Sequence, residues 1–314
     1  MRTRNLIIGA AVLWAAIAAP GAARAGEPPL PAEPGKPFRM LFAGSSSMYF
    51  HDMPRQVADW LSRSGLPATA EIAGRSGDGI HVYLRPGFDR YEYGVKKGGT
   101  FLDTVRDGKS DYVVLMVVAR FITGAEASEH EAAVDTYCKA VRAAGGRPVI
   151  YEMGWGADED TAPGRRKIFE AAVRNDAVIV PCSTAWSRAR AGRPGIELHN
   201  PPDRTHPGTL GTYLNVCLFH LAFAGRLPDP APDEIRIWPK WTKEEKAEAA
   251  RKLEGVAVEG YPARVAGWMR PMSMNLRTEK IDPDTAAYLR KVAAETWADM
   301  QKRFAEARSA DRPK

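Results

Sequence analysis

Phe38-Arg39-Met40-Leu41-Phe42-Ala43-Gly44-Ser45-Ser46-Ser47 decides how the rest of the chain is read. Its first half is an almost unbroken apolar run, as expected of a strand covered on both faces of a parallel sheet. It then breaks at a glycine into serines, the composition of a turn. The same change of character recurs downstream. Residues 68–73, 111–118, 147–153 and 177–180 read as further strands, and helical periodicity fills 52–64, 126–144, the region near 162–175, and 208–225. In the first of these helices Met53, Val57, Trp60 and Leu61 share a face. Asp52 is its expected N-cap, Pro54 lies in its first turn and Gly65 follows its last. This alternation predicts a doubly wound parallel α/β sheet, with functional groups at the carboxyl ends of the strands.

The chemistry-bearing residues fall at those ends. Ser46 follows the first strand, Gly74-Arg75-Ser76-Gly77-Asp78 the second, Arg120 the third and Trp155 the fourth. Far downstream, Pro202-Asp203-Arg204-Thr205-His206-Pro207-Gly208 leads into the helix at 208–225. A histidine can take a serine proton, and an aspartate three residues away can fix its tautomer and stabilise the imidazolium. Each residue alone has a duller reading: Ser46 as a turn residue, Asp203 as a helix cap, His206 as a loop histidine. Together, in this order, they point to a nucleophile, a base and an orienting acid. Neither Ser46 nor Ser76 completes Gly-x-Ser-x-Gly, which argues against the nucleophile elbow of α/β-hydrolases.

In these blocks the chain resembles the SGNH (GDSL-type) hydrolases over roughly residues 38–226. The resemblance implies a three-layer, flavodoxin-like sheet. It implies Ser46 as nucleophile with His206 and Asp203, and the backbone N–H groups of Ser46 and Gly77 as oxyanion donors. One block departs. Where that family carries Gly-x-Asn-Asp after the third strand, this chain has Val118-Ala119-Arg120-Phe121, so Arg120 stands at the position of the oxyanion asparagine. Arg120 is expected to face the Ser46 pocket as a replacement donor, a partner for an acid, or a grip for an anionic substrate group. The implied activity is acyl transfer from a small-molecule or polysaccharide ester to water, without a cofactor, an O-acetylated carbohydrate being one candidate. A catalytically impaired protein that binds a glycan or ester ligand is the competing reading, and Arg120 is its motive.

His51, Asn200 and Trp155 are expected to line the substrate pocket, though an Asn before two prolines is more simply a turn residue. Tyr83, Tyr91 and Tyr93 either form an aromatic wall or anchor loops. Glu129-His130-Glu131 with Asp135 reads as a solvated helix face, and no tetrahedral ligand spacing appears, so no metal is predicted.

Residues 1–25 have the form of a secretory signal. Arg2 and Arg4 start it, an apolar stretch from Leu6 to Ala19 follows, and Ala23-Arg24-Ala25 resembles a cleavage site. A secreted or periplasmic protein is expected, with no stable membrane insertion after cleavage. Residues 26–37 form a Pro-rich leader. The signal carries three arginines (Arg2, Arg4, Arg24) and no acid, so the formal charge of +6 falls to +3 on its removal. With no dense basic run, nucleic-acid binding has little support. Cys138, Cys182 and Cys217 all sit in apolar surroundings, as buried free thiols would; one disulfide and one thiol is the alternative. Beyond the 38–226 domain, residues 227–314 read as a Pro-rich linker and a helical extension. A charged helix at 242–253 and an irregular stretch at 259–274 precede a long amphipathic helix at 282–307, expected to dock on the α/β core.

Overall fold

The computed structural model describes residues 37–310 apart from 93, 97, 155, 157–158, 202 and 254–268. The signal, all but the end of the leader, Tyr93 and Trp155 therefore lie outside the described residues, as does most of the stretch expected to be irregular.

Strands β1 (Phe38–Gly44), β2 (Ala68–Gly74), β3 (Tyr112–Val118), β4 (Arg147–Met153) and β5 (Val178–Val180) form one parallel sheet of five strands, ordered β2-β1-β3-β4-β5. This is the doubly wound, flavodoxin-like order predicted from the sequence. The winding direction reverses between β1 and β3, so the crevice at their carboxyl ends is where such folds bind ligands.

The helices are α1 (Ser46–Tyr49), α2 (Met53–Arg63), α3 (Phe101–Arg106), α4 (Ala119–Thr123), α5 (Ala127–Ala143) and α6 (Ala162–Arg174). They continue with α7 (Cys182–Gly192), α8 (Thr209–Ala224), α9 (Lys243–Lys252), α10 (Met269–Met274) and α11 (Pro283–Ala310). Strand alternation splits the core in two. Met40, Phe42, Val114 and Met116 join one apolar cluster with α2, α7, α8 and α11. Leu41, Ala43, Val113 and Leu115 join another with α3, α5 and α6. Helix α8 is apolar on every side, as a helix between sheet and outer helix must be. Helix α11 closes over it with Leu289 and Val292 buried, worth about 1.5–3 kcal/mol per side chain. That holds the C-terminal helix to the core as expected.

The structure adds elements that the sequence does not announce. A short antiparallel ribbon pairs β6 (Glu234–Ile237) with β7 (Arg277–Lys280), and it lays Ile235, Ile237 and the following Trp238 on the first cluster. Helix α7 has no counterpart among the expected helices, and α10 begins within the stretch expected to be irregular. Asp52 does not cap α2: it is left-handed, with no side-chain capping bond, and its carboxylate instead pairs with Arg55 at 3.1 Å.

Candidate active site

Strands β1 and β2 end level, with Gly44 opposite Gly74. Gly74 has φ +144, and a Cβ there would lie 2.1 Å from the Gly44 carbonyl oxygen, so only glycine lets the two strand ends meet. Tyr83 Oη donates to that carbonyl at 3.0 Å and accepts the Arg75 N–H at 2.9 Å. One buried hydroxyl thus ties the loop after β2 to the end of β1. Tyr83 is a structural clamp rather than part of a substrate wall. The Tyr91 hydroxyl likewise accepts the Phe101 N–H at 3.1 Å, a loop anchor. Glu92 holds the Ser76 N–H at 3.0 Å, and Gly77 turns the loop with φ +78, a conformation that favours glycine.

Ser46, only 8% exposed, is the first residue of α1. Its N–H therefore belongs to a first helical turn, where backbone donors have no intrahelical acceptor. His206 Nε2 lies 2.8 Å from Ser46 Oγ, and His206 Nδ1 lies 3.2 Å from Asp203 Oδ2. Asp203 Oδ1 accepts the backbone N–H groups of Thr205 (2.8 Å) and His206 (3.0 Å), and Oδ2 accepts the Asn200 side-chain amide at 2.9 Å. Partial burial alone would raise the Asp203 pKa. The His206 N–H, the Asn200 amide, the Thr205 N–H and the neighbouring imidazole outweigh it and bring the carboxyl down to about 2.

The loop carrying Asp203 and His206 is closed at its base. His199 bridges Pro207, the Asn200 N–H donates to the His206 carbonyl at 2.7 Å, and the Gly208 N–H donates to the Leu198 carbonyl at 2.8 Å. A Cβ on Gly208 would sit 2.5 Å from the His199 carbonyl oxygen, so this closure also requires glycine. Asn200 thus supports the acid rather than serving only as pocket lining.

Next to His206 stands an aromatic group. Phe50 stacks on its imidazole, with centroids 4.5 Å apart and planes inclined by 17°. Phe50 also touches Trp238 at 4.6 Å and His51 at 4.7 Å. His51 is buried and left-handed (φ 57°), and Asp52 follows at φ 56°. Each such non-glycine residue costs about 1–3 kcal/mol. Burial, then His206 and Arg277, hold His51 neutral with a pKa of about 3. A cleft of about 310 Å³ is lined among others by His51, Asn200, Thr209, Trp238, Lys240 and Glu279, and by neither Ser46 nor His206.

Arg120 lies in the first turn of α4, is exposed, and carries its guanidinium over the Phe121 ring at 5.3 Å. It is therefore an exposed cation rather than a buried one. The acids of the 129–135 stretch pair with basic side chains: Glu129 with Arg85, Glu131 with Lys167 and Asp135 with Arg174. His130 corrects the solvated-face expectation. It is fully buried, its Nδ1 is 2.8 Å from His81 Nδ1, and His81 Nε2 is 2.8 Å from Glu126. Burial, with His81 beside it, lowers the His130 pKa to about 3. Glu152, wholly buried at the end of β4, accepts the Thr184 N–H (2.8 Å) and hydroxyl (3.0 Å) at the start of α7.

The three cysteines are buried and free. Among the described residues no His, Cys, Asp and Glu group could hold a metal ion, and no helix is long and apolar enough to cross a membrane. Sequence reasoning missed Phe50 and Trp238. Met48-Tyr49-Phe50 reads as generic core, and Trp238 reaches the site only through a ribbon whose second strand, Arg-Thr-Glu-Lys, has no apolar signal.

No family model matches the chain, and no curated protein matches it. Among solved structures, a DUF4886 family protein from Bacteroides uniformis is 15% identical, with a TM-score of 0.51 over 84% of this chain and 96% of that one. A mutant of Axe2, an acetyl-xylooligosaccharide esterase from Geobacillus, is 15% identical, with a TM-score of 0.44 over 59% of this chain and 93% of the other. A carbohydrate esterase family 3 protein from Talaromyces cellulolyticus is 14% identical, with a TM-score of 0.42 over 58% and 93%. The first of these, at 15% identity, speaks for a shared fold alone and leaves the chemistry to the site.

Proposed function

We propose that this chain is a serine-dependent ester hydrolase that works through Ser46, His206 and Asp203. One observation carries the proposal: Ser46 Oγ, the two ring nitrogens of His206 and the Asp203 carboxylate form an unbroken line of contacts at 2.8 and 3.2 Å. Asp203, ionised down to about pH 2, accepts a hydrogen bond from Nδ1–H and leaves Nε2 free to accept. Nε2 then takes the Ser46 proton as Oγ attacks the ester carbonyl carbon. The C=O pair moves onto oxygen, and the oxyanion is met by the N–H groups of Ser46 and Gly77. Collapse expels the alcohol, which receives the proton from Nε2. A water, deprotonated by the same nitrogen, attacks the acyl-enzyme; the acid leaves and Ser46 regains its proton.

As its substrate we propose an ester on a polyhydroxylated alcohol, such as an O-acetylated carbohydrate, to be tested with a panel of acetylated sugars and short acyl esters. Residues 1–25 support export to the periplasm or outside the cell. The competing reading, a binding protein with impaired chemistry, is favoured by one observation: Arg120 replaces the family's third oxyanion donor and lies exposed.

A fluorophosphonate probe decides between the two, because only an activated serine forms the adduct. Wild-type protein should label and Ser46→Ala should not, with circular dichroism unchanged. Absence of labelling in the wild type sinks the esterase, and equal labelling of Ser46→Ala moves the nucleophile elsewhere.

A further inference from the structure

The segment between the nucleophile and α2 is held in place from far along the chain. His51 and Asp52 are consecutive left-handed residues, a conformation that persists only when the surroundings over-determine it. The ribbon supplies the restraint. The Trp238 N–H donates to His51 Nδ1 at 3.0 Å, across 187 residues of sequence. Gln56 Nε2 donates to the carbonyls of His51 (2.7 Å) and Arg236 (2.8 Å), and Gln56 Oε1 accepts the Arg236 N–H at 2.9 Å. A buried side-chain amide thus bonds β6 as a neighbouring strand would, and Arg236 also reaches Asp59 at 3.4 Å. On this turn stands Phe50, flat against His206 and touching Trp238.

We propose that the β6–β7 ribbon is a positioning element for the base, gripping the 50–52 turn through His51 so that Phe50 fixes the plane of the His206 imidazole. This rests on the reading of Ser46 and His206 as the reacting pair. The bond from Asp203 to Nδ1 holds one edge of the imidazole but leaves the ring free to rock about that contact. A flat ring 4.5 Å away on one face removes this freedom and keeps Nε2 directed at Ser46 Oγ. When the ring becomes an imidazolium it meets a π-face rather than a competing charge. His51 serves as the grip because its Nδ1 accepts the Trp238 N–H without adding a cation beside His206. Phe50 and His51 are therefore positioning residues, acting through His206 and not on the substrate.

The test uses the full chain, with p-nitrophenyl acetate hydrolysis and fluorophosphonate labelling as readouts. Phe50→Leu and His51→Ala should lower kcat by about ten- to a hundred-fold with KM within about two-fold of wild type. Phe50→Tyr keeps the flat ring. His51→Asn keeps an acceptor and tolerates the left-handed backbone. Each should recover most of the loss. Folded Phe50→Leu and His51→Ala proteins with wild-type kcat would overturn the proposal, as would conservative variants no better than the disruptive ones. If His51→Ala fails to fold, the Phe50 pair alone decides. A wild type inert to both ester and probe would overturn the reacting pair and this proposal with it; a reactive wild type with indifferent variants overturns only the positioning role.

Discussion

Asn200 donates its side-chain amide to the same Asp203 oxygen that faces His206 Nδ1, at 2.9 Å. The acid is thereby fixed on three sides by groups within its own loop, and its charge is shared among donors rather than offered to His206 alone. A residue of this kind orients an orienter. Asn200→Ala should leave the protein folded and lower kcat about ten- to a hundred-fold, the kinetic equivalent of one hydrogen bond to a charged group. KM for p-nitrophenyl acetate should stay near its wild-type value. A large rise in KM with kcat unchanged would return Asn200 to the substrate pocket.

Asp203 also predicts a pH signature. Its folded pKa of about 2 lies below the ordinary 3.8, so between these values the unfolded chain binds more protons than the native one. Its contribution to stability is present above 3.8 and is lost as pH falls through about 2. The carboxylate is about a third exposed, so the effect should be small. Thermal melts from pH 5 to pH 2 should show Asp203→Asn losing less Tm than wild type. The same variant should lose up to about 10⁴-fold in kcat at neutral pH, through the wrong imidazole tautomer. Equal Tm slopes would contradict the electrostatic account of this loop.

Glu152 has the opposite sign. Burial raises its pKa to about 7 from 4.5, against the pull of the Thr184 bonds and Arg165. The native state therefore binds the extra proton between these values, and this group's contribution to stability declines as pH rises from 4.5 through 7. Glu152→Gln is nearly isosteric and carries no charge. The fall in Tm from pH 5 to pH 8 should shrink in this variant, which should be at least as stable as wild type at pH 8. An unchanged slope would mean that the carboxyl is ionised throughout.

Arg120 is exposed and stacked on Phe121. Arg120→Ala should change kcat by less than about threefold, far below the hundred- to thousand-fold cost of losing an oxyanion donor. A loss of that larger size, partly restored by Arg120→Asn, would make Arg120 a donor after all.

The sheet was legible because its strands are near-continuous apolar runs punctuated by glycine, and the long helices because their apolar spacing is regular. Ser46, His206 and Asp203 meet for a local reason: Ser46 is fixed by the end of β1, and Asp203 and His206 share one loop closed by Gly208. Phe50, Gln56 and Trp238 were not legible. Their roles depend on a ribbon meeting a turn across most of the chain, and no local periodicity encodes that meeting. His130 misled because acids on both sides give it the composition of a wet surface, while its own side chain points into a pair with His81.

The level ending of β1 and β2 at Gly44 and Gly74 bears on how such a chain can change. One hydrogen-bond ladder sets the heights of the Ser46 turn and the Gly77 loop together. A residue inserted in either strand would slide one against the other and reverse every inward side chain beyond it. Helix α9, which buries no residue, carries no such constraint of step. Variation of length and composition can accumulate there while the ladder keeps the ends of β1 and β2 level.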